Sequence, residues 1–210
     1  EMIVRELWGT DHAALVEAAA ACCDAELDAS GRKGTGDPTE IAVLRAALER
    51  GVDRETIERA NPRVAVQPFD SDRKRMSVLR RDGVLYLKGA VEVVLELCSS
   101  PTAGAREANR ELAERGLRVL AVAVGRGSAE EDLELLGLIG IADPPRTEAI
   151  DAIERARQAG IRTVMITGDH PVTARAIARE LGLLRAGEDP SEVIHARATA
   201  ADKIAIVRRW

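Results

Sequence analysis

Aromatic side chains are almost missing from this sequence: Trp8, Phe69, Tyr86 and Trp210 are the whole supply in 210 residues. That excludes an interleaved stacking platform for single-stranded nucleic acid. A basic surplus is missing as well, since 35 acidic residues outnumber 30 basic ones, and the net charge of −5 argues against any nucleic-acid partner. Long apolar runs are absent: the stretches 13–23 and 133–142 are interrupted by Glu17, by Glu134 and by glycines. Neither approaches the roughly 20 residues of a membrane span, so the chain itself is expected to be soluble. Cysteine is scarce, and Cys22, Cys23 and Cys98 have no metal-ligand spacing; buried, reduced thiols in a reducing compartment are expected. His12, His170 and His195 lie too far apart in sequence to indicate a metal cluster. No Ser/His/Asp elbow and no Gly-x-x-x-x-Gly-Lys loop occurs. The N-terminus, Glu1-Met2-Ile3-Val4-Arg5, is neither a signal nor a transit peptide. The chain reads as a piece of something longer.

What is present is a hydrophobic fraction of 46%, supplied by Ala, Val, Leu and Ile, which is that of a globular protein. Residues 2–7 read as a strand, and an Ala-rich helical pattern runs from His12 to about Leu27. After a Gly-rich loop at 28–36, Asp37 is placed to cap a helix with Pro38 at its first position and Glu40 in capping-box register. Ile41, Leu44 and Leu48 form the expected buried face of that helix. The period then becomes strand-like: 63–69, 75–80 and 84–88 form an antiparallel set, with Asp82-Gly83 as the tight turn. Helices at about 90–98 and 105–115 and a strand at 118–124 complete an α+β portion. From Leu136 strand and helix alternate: strands at 136–142, 162–166 and near Val193, with helices at 147–158 and 171–181 and one closing the chain. That grammar belongs to a parallel, helix-covered sheet. Asp143-Pro144-Pro145-Arg146 marks the switch, and two domains are expected, 1–141 and 142–210.

Several residues invite a chemical reading. Asp37-Pro38-Thr39-Glu40 is accounted for by a helix cap alone. Thr167-Gly168-Asp169-His170 stands where a parallel strand gives way to a helix, the place where α/β sheets present N–H groups and hydroxyls to anions, and also a common structural turn. Lys88 ends an alternating strand, where lysines are usually solvated, yet Gly89 beside it would let a ligand approach the backbone. Lys203 sits on a helix whose expected buried face is Ile204, Ile206 and Val207. Phe69 is the only phenylalanine and lies among Asp, Arg and Lys. It suits either a core position at a strand end or a ring that stacks on an adenine base, with cations nearby for phosphates. Spacing alone indicates a phosphate-handling α/β protein.

Five segments in one order carry a more specific message: Gly36-Asp37-Pro38-Thr39-Glu40, Pro68-Phe69-Asp70-Ser71-Asp72-Arg73-Lys74-Arg75-Met76-Ser77, Lys88-Gly89-Ala90, Asp143-Pro144-Pro145-Arg146 and Met165-Ile166-Thr167-Gly168-Asp169-His170. With Ala196 to Lys203 extending the match, they resemble the P-type cation-transporting ATPases, most of all the bacterial calcium-pump branch. The resemblance implies an α+β nucleotide-binding domain, an antiparallel sheet flanked by helices, followed by part of an α/β phosphorylation domain of haloacid-dehalogenase type. It implies ATP as ligand, with Phe69 stacking on adenine, Glu40 contacting the adenine amino group, Lys88 and Lys74 lining the pocket and Arg118 reaching the phosphates. Ser71 stands where relatives carry Arg, which removes one phosphate contact. In the second domain Thr167 matches a phosphate-binding Thr and Lys203 the lysine that neutralises the phosphoryl group. Gly168 and Asp169 match nucleotide contacts near the metal region, and Asp143 and Arg146 the hinge and ribose-phosphate contacts.

The sequence contains neither the family's Asp-Lys-Thr-Gly-Thr acceptor segment nor its Gly-Asp-Gly-x-Asn-Asp motif, whose carboxylates hold Mg²⁺ in the intact protein. Turnover of ATP by this chain alone is therefore not expected, and no metal ligand is assigned within it. The resemblance implies a parent at the cytoplasmic face of the cell membrane, with actuator and transmembrane domains of the same polypeptide as partners. Without the missing strands, 142–210 is expected to pack incompletely or to borrow edges from another copy. A soluble haloacid-dehalogenase-type phosphatase and a non-catalytic regulatory domain are the alternatives.

Overall fold

The computed structural model of the chain describes residues 2–31, 33–99, 102–143, 147–167, 171–196, 198 and 200–209. They fall into two compact units, Glu1–Leu112 with Arg118–Asp143, and Ala113–Leu117 with Pro144–Trp210.

The first unit begins with β1 (Ile3–Trp8) and α1 (His12–Ala21), the latter started by Asp11, whose carboxylate accepts from the Ala13 and Ala14 N–H groups at 3.0 Å each. The helical pattern runs on to Leu27, but the helix stops at Ala21 because side chains replace its ladder. The N–H groups of Asp24 and Ala25 both donate to Glu40 Oε2 at 2.8 Å. Arg80 donates to the Ala21 carbonyl at 2.6 Å, and Arg54 and Arg63 donate to that of Cys23. Carbonyls orphaned at a helix end need such partners. The released chain forms β2 (Glu26–Leu27), paired with β3 (Gly34–Thr35).

Asp37 then caps α2 (Pro38–Leu48), accepting from Thr39 N–H at 2.8 Å, with Pro38 in the first turn. Its buried stripe is centred on Val43, Leu44 and Ala47, whereas Leu48 is 44% exposed, so the expected face is displaced. The reason is that α2 packs on both α1 and β1. A short α3 (Arg54–Ala60), capped by Asp53, has no buried residue and carries no apolar stripe to announce it.

Next come β4 (Arg63–Asp70), β5 (Arg75–Arg80), β6 (Val84–Ala90), α4 (Val91–Glu96), α5 (Ala105–Glu114), β7 (Arg118–Arg126) and β8 (Glu134–Ala142). They build a six-stranded sheet in the order β1-β8-β7-β6-β5-β4, and every pairing in it is antiparallel. Here a sequence expectation is corrected. The strand at 136–142 does not open a parallel sheet; it is β8, lying between β1 and β7. Its neighbours Leu138 and Ile139, which point to opposite faces, are both buried. An antiparallel strand covered on two sides shows the same continuous apolar run as a parallel one. On one face Val122, Ile139 and Ile141 meet Leu15, Val16 and Ala19 of α1 and Val43 of α2. The alternate residues Leu87, Ala121 and Leu138 are buried on the other face, and α4 packs on β6 and β7.

The second unit contains α6 (Thr147–Gln158), β9 (Met165–Ile166), α7 (Pro171–Glu180), a 3₁₀ turn at Pro190–Glu192, β10 (Ile194–His195) and α8 (Ala200–Arg209). β9 and β10 pair in parallel, and Ala178, Leu183 and Leu184 form its small core cluster with Ile153, Met165 and Ile194 packed on it. On α8 the apolar stripe is not buried: Ile204 and Val207 are 58% and 65% exposed, contrary to the helical pattern. An apolar stripe predicts burial only where a neighbouring element covers it, and none of the described residues does so here. No helix of the described residues is long and apolar enough to cross a membrane.

Candidate functional site

Lys88 lies near the end of β6, and its side chain is buried rather than solvated. Its ammonium Nζ donates to Glu40 Oε1 at 2.6 Å and to Cys23 Sγ at 3.0 Å. Glu40, also buried, accepts with its second oxygen from Asp24 and Ala25 N–H. Its carboxylate is thus spent on a tertiary pair and two backbone donors, not on the reciprocal bond of a capping box. Burial pushes the Lys88 ammonium down, and the sulfurs of Cys23 and Cys22 and the Glu40 carboxylate more than offset it, so its pKa is raised. Burial pushes the Cys22 thiol up to about 12 and raises that of Cys23. All three cysteines are free.

Gly89 has a different role from the expected one. A Cβ there would come within 2.5 Å of the Lys74 carbonyl oxygen and 2.7 Å of Arg75 Cβ. The glycine makes room for β5 and its turn.

Phe69 lies on the edge strand β4 and is 64% exposed. It is a surface ring, which removes the reading of a core position. The register pairs Gln67 with Ser77 and Asp70 with Arg75, so Pro68 and Phe69 together face Met76 across a bulge. Met76 pairs with Lys88, and Lys88 with Val122. Phe69 and Lys88 therefore stand two strand spacings apart along one row, about 10 Å.

The first turn of α2 brings in a further group. Thr39 Oγ1 accepts from Arg118 Nη1 at 3.2 Å, one residue before Glu40. Lys74, in the turn between β4 and β5, has φ of 53° and an exposed side chain 3.9 Å from Glu92. A non-glycine residue in this left-handed region is held there by its surroundings. Both its neighbours are bound by one carboxylate. Glu130 accepts from Arg73 Nη2 at 2.5 and 2.6 Å, from Arg75 Nε at 2.7 Å and from Ser77 Oγ at 2.6 Å. Burial pushes the Glu130 carboxyl up, but the hydrogen bonds from Arg73, Ser77 and Arg75 outweigh it and hold it at about 2.

Glu40, Lys88, Phe69, Lys74 and Arg118 thus all belong to the β4–β7 sheet and the start of α2, while Asp143 is exposed just past β8. In the second unit Thr167 follows β9. Its N–H donates to the His195 carbonyl and its own carbonyl accepts from Ala198, both at 2.9 Å. Lys203 is exposed on α8. Arg146, Gly168 and Asp169 lie outside the described residues. Sequence reasoning passed over Cys23, Thr39 and Glu130 as parts of this region. Cys23 and Thr39 carry no signal beyond a helical pattern and a cap, and Glu130 sits in an acidic loop run that reads as solvated surface. Two cavities lie elsewhere: one of about 740 Å³ among α2, α3 and residues 26–29, and one of about 240 Å³ lined by Ile153, Arg157 and Leu183.

Residues 11–148 match the family model described as P-type ATPase, cytoplasmic domain N. A calcium-transporting ATPase of Bacillus subtilis is 44% identical over 176 residues, covering 71% of this chain and 20% of that protein. A calcium-transporting ATPase of Listeria monocytogenes is 33% identical over 249 aligned positions, 98% of this chain and 28% of the relative. A sodium/potassium exporting P-type ATPase of Schizosaccharomyces pombe is 42% identical over 174 residues, 71% of this chain and 17% of the relative. The chain spans less than a third of the length of these relatives. With an antiparallel α+β unit over the matched residues, the chain belongs to the family of P-type ATPase cytoplasmic N domains.

Proposed function

We propose that the first unit binds ATP and that the chain is the nucleotide-binding portion of an ATP-driven cation pump, with calcium as the cargo, the ion named in several of its relatives. The observation that carries this reading is the exposed Phe69 ring standing on the same sheet row as the buried Lys88–Glu40 pair. The ring offers a flat surface for adenine. Glu40 and Lys88 supply an acceptor and a donor at the base, and Arg118 and Lys74 supply cations for the phosphates. A carboxylate and an ammonium already satisfied by each other can be re-partnered by a polar base edge without leaving a bare charge buried.

The second unit is read as part of a haloacid-dehalogenase-type phosphorylation domain, beginning near residue 142. In it Thr167 and Lys203 would support a phosphoryl group, Gly168 and Asp169 the nucleotide's phosphate end, and Asp143 and Arg146 the hinge and ribose phosphate. Mg²⁺ belongs to the intact protein in this reading. Among the described residues no group of three His, Cys, Asp or Glu side chains is arranged to hold a metal ion. The remainder of the same polypeptide, with actuator and transmembrane portions, is the partner, and the working location is the cytoplasmic face of a membrane.

Titration of the chain with ATP and AMP, followed by NMR at Phe69, tests this. Binding with upfield shifts of the ring protons, weakened by Phe69→Ala by roughly 1–3 kcal/mol and without phosphate release, is the expected result. Release of phosphate from a small phosphoester would instead favour a phosphatase. Unchanged spectra with both nucleotides would leave a regulatory domain as the better reading.

A further inference from the structure

Glu130 stands outside every segment that carries the family resemblance, in the loop 127–133 between β7 and β8. That loop is tied down on both sides of it. Gly127 N–H donates to the Gly83 carbonyl at 2.9 Å, and Leu133 exchanges backbone bonds with Leu97 and Ser99 at 2.9 and 3.0 Å. Glu130 is thereby presented from a fixed support, with its side chain only 9% exposed.

What it grips is the hairpin turn that carries Phe69 and Lys74. Arg73 and Arg75 flank Lys74, the residue with φ of 53°, and both guanidinium groups end on the same carboxylate, together with the hydroxyl of Ser77. Arg75 and Ser77 alternate along β5 with Met76, which pairs with Lys88, so the grip is exerted on the face of the sheet opposite Lys88. Left-handed backbone at a residue with a Cβ is unfavourable by itself and needs outside support. Two arginines two positions apart would repel each other without a shared anion.

We propose that Glu130 is a positioning residue for nucleotide: it clamps the β4–β5 turn from behind and so sets where the Phe69 ring and the Lys74 ammonium stand. The inference rests on the reading of Phe69 as the adenine platform. Glu130 itself touches no nucleotide in this scheme; it acts through the turn. Preorganising a binding surface raises affinity by removing the ordering cost at the moment of binding.

The test uses the 210-residue chain, a non-hydrolysable ATP analogue and calorimetric titration, with Glu130→Gln, Phe69→Ala, the double variant, and Glu131→Gln as a control from the same loop. Glu130→Gln should weaken binding by roughly fivefold to tenfold and shrink the upfield shift of the Phe69 ring protons, at a temperature where circular dichroism shows the variant folded. Glu131→Gln should do neither. In the Phe69→Ala background, Glu130→Gln should add only about twofold, because the part that acts through the ring is gone and only the part through Lys74 remains. Glu130→Asp, which keeps the charge on a shorter arm, should recover part of the loss. Wild-type affinity and ring shifts in Glu130→Gln, or a full additive loss in the double variant, would overturn the proposal while the nucleotide reading survives. No binding by the unsubstituted chain would remove both.

Discussion

The two units of this chain bury their apolar residues to very different degrees. In the first, α1 carries six buried residues in one helix, and β5 to β8 are lined with side chains of almost no exposure. In the second, Ala174, Ala178, Leu183 and Leu184 are the buried hydrophobics among the described residues, while Ile161, Ile204 and Val207 stand more than half exposed. The strands differ in the same way: six antiparallel strands against a parallel pair of two residues each. An antiparallel meander closes with partners that are near in sequence, as β4 to β8 do. A parallel sheet needs strands delivered over long connections.

The widest consequence is in hydrogen exchange. Amides of β6, β7 and β8 should exchange orders of magnitude more slowly than those of α6 to α8. Equal protection in a monomer would erase the contrast between the units. The next largest effect concerns the buried pair. Lys88→Ala leaves the Glu40 carboxylate buried without its counter-ion, held only by the Asp24 and Ala25 N–H groups, and should destabilise the first unit by about 3–5 kcal/mol in urea unfolding. Lys88→Met combined with Glu40→Gln should restore much of that, with the second unit's transition unmoved in both cases.

A smaller effect is tied to pH. The Glu130 carboxyl is held at about 2 in the folded chain, below its ordinary 4.5. Its contribution is therefore complete above 4.5 and lost as pH falls from there toward 2. It amounts to about 2–3 kcal/mol, and Glu130→Gln should flatten that part of the pH–stability profile. The smallest effect is expected at the ring. Phe69→Ala should change stability by less than about 0.5 kcal/mol, since the side chain is mostly in water. A loss of 2 kcal/mol or more would mean that Phe69 holds the fold and would weaken its reading as a platform.

Much of the first unit was legible from local chemistry. Asp37 and Pro38 announced α2, Asp82-Gly83 announced the β5–β6 turn, and alternation announced β4 to β6. Three misreadings share one cause. α1 ends early because Glu40, Arg54, Arg63 and Arg80 take over its terminal backbone groups, and those residues lie far along the chain. β8 joins the antiparallel sheet because its neighbours are β1 and β7, although its apolar run fits a parallel strand equally well. α8 has an apolar stripe, yet nothing described covers it. In each case the local pattern is compatible with two outcomes, and whether a distant partner meets it selects one.

The near-absence of aromatics bears on this division. With a core of Ala, Val, Leu and Ile, the sequence by itself left the single phenylalanine without a required place inside, and its ordered motifs were enough to mark the family. Local propensity, capping and periodicity act over a few residues, so they are readable along the chain. Only the tertiary structure decided that Lys88 is buried against Glu40, that Gly89 makes room for β5, and that Glu130 holds Arg73, Arg75 and Ser77. Those are contacts between residues 48 to 57 positions apart or, for Gly89, between adjacent strands. They exist because sheet pairing and loop anchoring bring the groups together, and no spacing in the sequence encodes that meeting.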